Sequence, residues 1–243
     1  MVSNMGGRKP VVTGAVRTLT AGLALGAFAV SGTADGATGA EAAAGGPRVK
    51  PTVVLEHDAF ADGSGWSGVI ADLRADGYPV VAAGDPDVKA LVYVAAFLPA
   101  PGETALELTG KFPGSTLPDA LDPVTYRQAD GTTTTDLYIR QDEFRHQFAA
   151  DVPAGQAALM AAGQRPIAQA ALEEKATVAA WKTKPSWDIV TTEDLNIPAA
   201  AQRFMAARAH ARTIEVAASH SVAVSHPHLV ADVIERAARA TAR

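Results

Sequence analysis

Residues 186–221 read SWDIVTTEDLNIPAAAQRFMAARAHARTIEVAASHS, and this stretch decides the fold. Ser186 to Thr191 (SWDIVT) and Thr213 to Val216 (TIEV) are short apolar runs of strand character, with a helix predicted over Ala199 to Ala209 between them. Strand, helix and strand with continuous apolar strands imply a parallel sheet covered by helices. Each strand runs into a polar loop: Thr192-Glu193-Asp194-Leu195-Asn196-Ile197-Pro198 after the first, Ala217-Ala218-Ser219-His220-Ser221 after the second. In open α/β sheets the working groups sit on loops beyond the carboxyl ends of strands. An Asp after one strand and a His after the next fit the later members of a nucleophile–acid–histidine order. Taken singly, Asp194 is a turn residue before Pro198, and His220 a loop histidine satisfied locally. Together, at successive strand ends, they point to an inherited dyad in which the carboxylate orients the imidazole.

The same alternation continues toward the N-terminus. Thr52 to Leu55 (TVVL) reads as a strand buried on both faces. It is followed by Glu56-His57-Asp58-Ala59-Phe60 and the glycine-rich turn Asp62-Gly63-Ser64-Gly65. Trp66, Val69, Ile70 and Leu73 recur at helical spacing and stop at Asp76-Gly77. Tyr78 to Ala82 and Ala90 to Phe97 supply two more strands. Leu98 to Pro185 interrupts the pattern with Pro- and Gly-rich sequence, the threonine run Thr132 to Thr135, and short amphipathic pieces separated by Pro153 and Pro166. It reads as a helical cap inserted between strands. A last helix is expected from about His228 to Ala240.

From Pro51 onward the chain resembles the α/β-hydrolase superfamily, and in particular its small esterase-like members. Four features carry the resemblance: the strand ending in His57-Asp58-Ala59-Phe60, the run Asp87 to Ala95 (DVKALVYVA), the Asp194 to Pro198 segment (DLNIP), and Ser219-His220-Ser221. The resemblance implies a mostly parallel sheet with flanking helices and a helical cap at about 98–185, within a domain spanning 51–243. It also implies Asp194 as triad acid, His220 as general base and the Ala59 N–H as one oxyanion donor. The substrate would be a small hydrophobic ester-like molecule.

The nucleophile is missing. The family serine sits in G-x-S-x-G on a strand-to-helix turn, and no such motif occurs in the 243 residues. The nearest approach, Gly65-Trp66-Ser67-Gly68-Val69, opens a helix. Between Val81 and Lys89 lie only the seven residues Ala82 to Val88, where the family places two helices and the central strand. One parallel crossover already needs a dozen residues or more. The central strand is therefore expected to be absent, and Thr52–Leu55 to pair directly with Ala90–Ala95. Asp58, where the family has glycine after His57, sets a negative charge where an oxyanion would develop. Three functions remain open on these residues: an impaired serine hydrolase, a non-catalytic binding protein, and a His–Asp dyad that abstracts protons. A fourth reading is banal: an internal deletion whose product folds poorly.

Composition narrows the rest. The chain is 48% hydrophobic, only 19% charged, and carries a formal charge of −5 without a basic stripe. Nothing favours nucleic acid or an anionic membrane as partner. There is no cysteine, which excludes thiolate chemistry and disulfides. His220, His226 and His228 match no familiar zinc spacing, and no cofactor or metal is expected. At the N-terminus Arg8, Lys9 and Arg17 precede the uncharged 12-residue run Leu19 to Val30 and the small residues Gly32-Thr33-Ala34. That run falls short of the ~20 apolar residues of a membrane span. Residues 1–34 are expected to be a secretory signal peptide, and 35–50 a flexible linker, leaving the mature protein extracellular.

Overall fold

The computed structural model describes residues 27–31, 50–81 and 88–242. In chain order the elements are strands β1 (Ala27–Ser31) and β2 (Thr52–Val54), helix α1 (Ser67–Ala75), β3 (Val80–Val81) and β4 (Val88–Val94). The excursion then holds α2 (Ala105–Gly110), α3 (Leu117–Ala120), β5 (Leu121–Arg127), β6 (Thr133–Ile139), α4 (Gln141–Phe148), α5 (Ala154–Gly163), β7 (Ile167–Ala168) and α6 (Gln169–Glu173). The chain closes with β8 (Ser186–Thr191), α7 (Ala199–Arg208), β9 (Arg212–Val216), α8 (Val222–Ser225) and α9 (Pro227–Thr241).

The main sheet has the order β3-β2-β1-β4-β8-β9. Pairs β2–β3, β4–β8 and β8–β9 are parallel, as continuous apolar strands require when helices cover both faces. On β4 this shows as alternate packing. Ala90, Val92 and Val94 meet α1 and α9 through Val69, Leu73, Val230 and Ile234. Leu91 and Tyr93 meet α2 and α7 through Leu108, Ala201 and Met205. Gly68 allows α1 its close approach to the start of α9, because a Cβ there would lie 2.7 Å from Pro227 Cβ.

Two expectations need revision. Direct pairing of Thr52–Leu55 with Ala90–Ala95 does not occur: β1 lies between them and is antiparallel to both. Its register sets Ala29 opposite Val54 on one side and Leu91 on the other. The physical reason is the one that motivated the expectation, since unpaired backbone in a buried sheet costs roughly 1–3 kcal/mol per group. An apolar segment from the leader meets that need. The rest of the leader, residues 35–49 of the linker and Ala82–Asp87 lie outside the described residues. The excursion, helical as its amphipathic pieces imply, also contains an antiparallel sheet in the order β5-β6-β7. Its first strand is largely exposed and carries Pro123, so neither alternation nor composition announces it.

Strand β8 carries one unfavourable group. Asp188 is fully buried and both its carboxylate oxygens lack a hydrogen-bond partner among the described residues. Burial pushes its pKa well above the usual carboxylate value, because the charged form is poorly solvated there. Replacing an unsatisfied buried polar group with an apolar one of similar shape is neutral to stabilising. Asp188→Val is expected to raise stability by about 1–2 kcal/mol, or roughly 2–8 °C in thermal melting at pH 7. A lower melting temperature would show that Asp188 has a partner of value.

Candidate active site

Two strand-end loops build the site. The Thr192 N–H donates to Val216 O at 2.9 Å and the Glu193 N–H to Ala218 O at 3.2 Å, which ties the loop after β8 to the loop after β9. Asp194 and His220 then face each other. The Asp194 Oδ2 to His220 Nδ1 distance is 2.7 Å, with both side chains nearly inaccessible. Asp194 is otherwise saturated. Oδ1 accepts the Asn196 and Ile197 N–H groups at 2.8 and 2.9 Å, and Oδ2 accepts from Thr191 Oγ1 and Gln202 Nε2, each at 3.0 Å. Gln202 in turn donates to Ile197 O at 2.7 Å, so strand, loop and α7 hold one carboxylate rotamer.

The other imidazole nitrogen is taken as well. His220 Nε2 is hydrogen-bonded to Asp58 Oδ2, a contact between residues 162 positions apart. Asp58 arrives on the turn after β2, where Phe60 adopts a left-handed φ of 63°. A bulky residue held there is strained unless packing compensates. Phe60 is buried, and its ring stands edge-on to Phe148 with centroids 6.4 Å apart. Phe148 in turn lies 5.0 Å from the His220 ring. The Ala59 N–H, implied as an oxyanion donor, donates to Asp58 Oδ1 at 2.6 Å.

Charge follows from this geometry. Burial alone pulls the His220 pKa down, but Asp194 first and Asp58 second reverse this and push it up to about 10. At neutral pH the ring is an imidazolium donating from both nitrogens. The folded pKa lies above the histidine's ordinary 6.5. The resulting stability is fully present below pH 6.5 and is lost as pH rises through about 10. Asp58→Asn removes one of the raising charges. Its melting temperature is expected to fall less steeply than the parent's over that window, and a parallel fall in both proteins would contradict the assignment.

No serine hydroxyl takes the place of a nucleophile in the contacts of the described residues. Ser67 Oγ donates to Ser64 O at 2.8 Å, Ser221 Oγ donates to Phe148 O at 2.8 Å, and Ser219 Oγ is paired with Asp151. His226 and His228 are drawn elsewhere, to Ser225 and Asp151 and to Asp72 respectively. Among the described residues no trio of His, Asp and Glu is arranged to hold a metal ion.

A cavity of about 60 Å³ opens over Asp58 and His220. Its wall is mainly apolar, with Phe97, Leu121, Leu172 and Ile197, and it reaches the surface at Leu106, which is 49% exposed. Asn196 also lines it. Sequence reading placed Asp194 and His220 on neighbouring loops, but missed both the reach of Asp58 to His220 and the position of Asn196. A polar residue inside an otherwise buried DLNIP turn was the signal available for the latter.

A profile of the alpha/beta hydrolase family matches residues 63–233. No curated protein sequence matches the chain. Among solved structures, a pyrethroid hydrolase from Sphingobium faniae is similar at 21% identity and a TM-score of 0.59, covering 78% of this chain and 97% of its own. Tomato methylketone synthase I, in complex with 2-tridecanone, gives 15% identity and a TM-score of 0.62, covering 77% and 97%. Polyneuridine aldehyde esterase gives 16% identity and a TM-score of 0.55, covering 76% and 71%. These structures share the fold with this chain.

Proposed function

The chain belongs to the alpha/beta hydrolase family, and from that premise we propose that it retains a hydrolase pocket without the acyl-transfer reaction. The observation that carries this reading is the bond between Asp58 Oδ2 and His220 Nε2. In a serine triad that nitrogen takes the nucleophile's proton. Here a carboxylate holds it, and the imidazole is already protonated. The absence of a G-x-S-x-G motif and the engagement of the Ala59 amide support the same reading. The ancestral activity would be hydrolysis of small carboxylic esters, and what remains is binding of a small, mainly apolar molecule over Asp58 and His220. Proton abstraction by His220 is disfavoured, because it needs the nitrogen that Asp58 occupies.

The proposal extends to export, supported by the basic and then apolar leader. Extracellular protein is expected to begin near Asp35. Activity is tested with folded protein and p-nitrophenyl acetate or butyrate. Turnover at the rate of the uncatalysed reaction is expected, and His220→Ala should change nothing. Saturable hydrolysis that His220→Ala abolishes would overturn the reading.

A further inference from the structure

Asp58 is the accessible half of its pair with His220. Its side chain is 24% exposed, against 4% for the imidazole. It lines the apolar cavity with Phe97, Leu121, Leu172 and Ile197, and also borders a second cavity, where Asp62 is a further wall residue. No lysine or arginine lines either cavity among the described residues. Two carboxylates, Asp58 and Asp194, flank one ring, so the cavity floor is negative with an imidazolium and more negative with a neutral imidazole. Asp58 also keeps accepting capacity. Oδ1 takes the Ala59 N–H at 2.6 Å and Oδ2 is bonded to His220 Nε2, and each carboxylate oxygen has a lone pair to spare.

An apolar molecule entering this cavity strips water from the Asp58 carboxylate, and a charge desolvated without a partner is costly. An ester or ketone brings no donor and sets acceptor against acceptor. A carboxylate adds repulsion. A cation with N–H donors offsets the loss through attraction that strengthens as water leaves. We propose that the cavity takes a protonated aliphatic amine, its ammonium donating to the Asp58 carboxylate and its alkyl chain lying along Phe97, Leu121, Leu172 and Ile197. The proposal rests on the reading of the site as a binding pocket and gives the ligand's charge. The opening at Leu106 lets a chain longer than the cavity run out to the surface.

The test uses the full chain at pH 7 and three probes of equal length: hexylammonium, 1-hexanol and hexanoate. The alcohol supplies a donor without the charge. Affinities are read by calorimetric titration, and the site by the Ala59 amide signal in the ¹⁵N–¹H spectrum, since that N–H is bonded to Asp58. Hexylammonium is expected to bind at least about tenfold more tightly than 1-hexanol, the scale of one charge-assisted hydrogen bond, with hexanoate weakest. The Ala59 signal should move as hexylammonium saturates. In Asp58→Asn the preference for ammonium over alcohol should shrink to about twofold or less, because the floor loses its net charge. Equal binding of ammonium and alcohol by the parent would overturn the amine assignment and leave the pocket reading standing. A preference that survives in Asp58→Asn, or an unmoved Ala59 signal, would also overturn it. Binding of no probe would overturn both readings. The parent titrations and the Ala59 signal decide the matter even if the variant fails to fold.

Discussion

Replacing Ala29 with proline is expected to lower the melting temperature of the full chain by about 6–12 °C or more. Ala29 sits mid-strand in β1, opposite Val54 on one side and Leu91 on the other. Proline removes an N–H from the interior of a sheet and leaves its partner carbonyl unpaired, and its ring does not fit a central strand. A loss of about 3 kcal/mol corresponds to that shift, at roughly 2–4 °C per kcal/mol for a domain of this size. A chain beginning at Asp35 lacks β1 altogether and should melt lower still, with faster amide exchange in Val53, Val54 and Ala90 to Tyr93. Export with cleavage near Asp35 would therefore deliver a less stable protein than the full chain. Unchanged melting in both variants would mean that β2 and β4 pair directly, as the sequence alone suggests.

That β1 was not expected as a strand has a definite cause. An uncharged apolar run of 12 residues satisfies the physics of a signal-peptide core and that of a buried strand equally well. The slot between β2 and β4 that pairs β1 is tertiary and leaves no mark in the sequence. By contrast β8 and β9 were legible, since SWDIVT and TIEV are apolar runs cut off by polar loops, and the backbone ties between those loops follow from parallel pairing. Strand β5 was not, because an exposed hairpin strand needs no hydrophobic pattern. Within the site, Asp194 and His220 could be read because each belongs to a local strand-end motif. Asp58 was legible as a charge in the wrong place, but its contact with His220 spans 162 residues and depends on the left-handed turn at Phe60. Gln147 and Thr116, which orient Asn196, come from the cap. No spacing rule connects them to the body.

The second large effect concerns acyl transfer. A serine hydrolase needs a nucleophile, a base with a free nitrogen beside it, and donors for the oxyanion. Here His220 is an imidazolium whose Nε2 is bonded to Asp58, and the Ala59 N–H is bonded to the same carboxylate. Removing one triad member from a working enzyme leaves a residual acceleration of about 10³–10⁴ over water, supplied by binding and the oxyanion hole. With the oxyanion donor engaged too, this chain should fall below that. Asp58→Ala frees His220 Nε2 and the Ala59 amide but supplies no nucleophile, so it too should fail to turn over esters.

Fluorophosphonate labelling of the folded full chain, read as intact mass, tests this account most directly. A serine activated by a base is phosphonylated stoichiometrically by such a probe, whereas a hydroxyl without a base reacts no faster than background. The account predicts no adduct on the parent and none on His220→Ala. Stoichiometric labelling of any serine in the parent, with Ser64, Ser67 and Ser221 the first to map, would show that a substitute nucleophile exists and would contradict it.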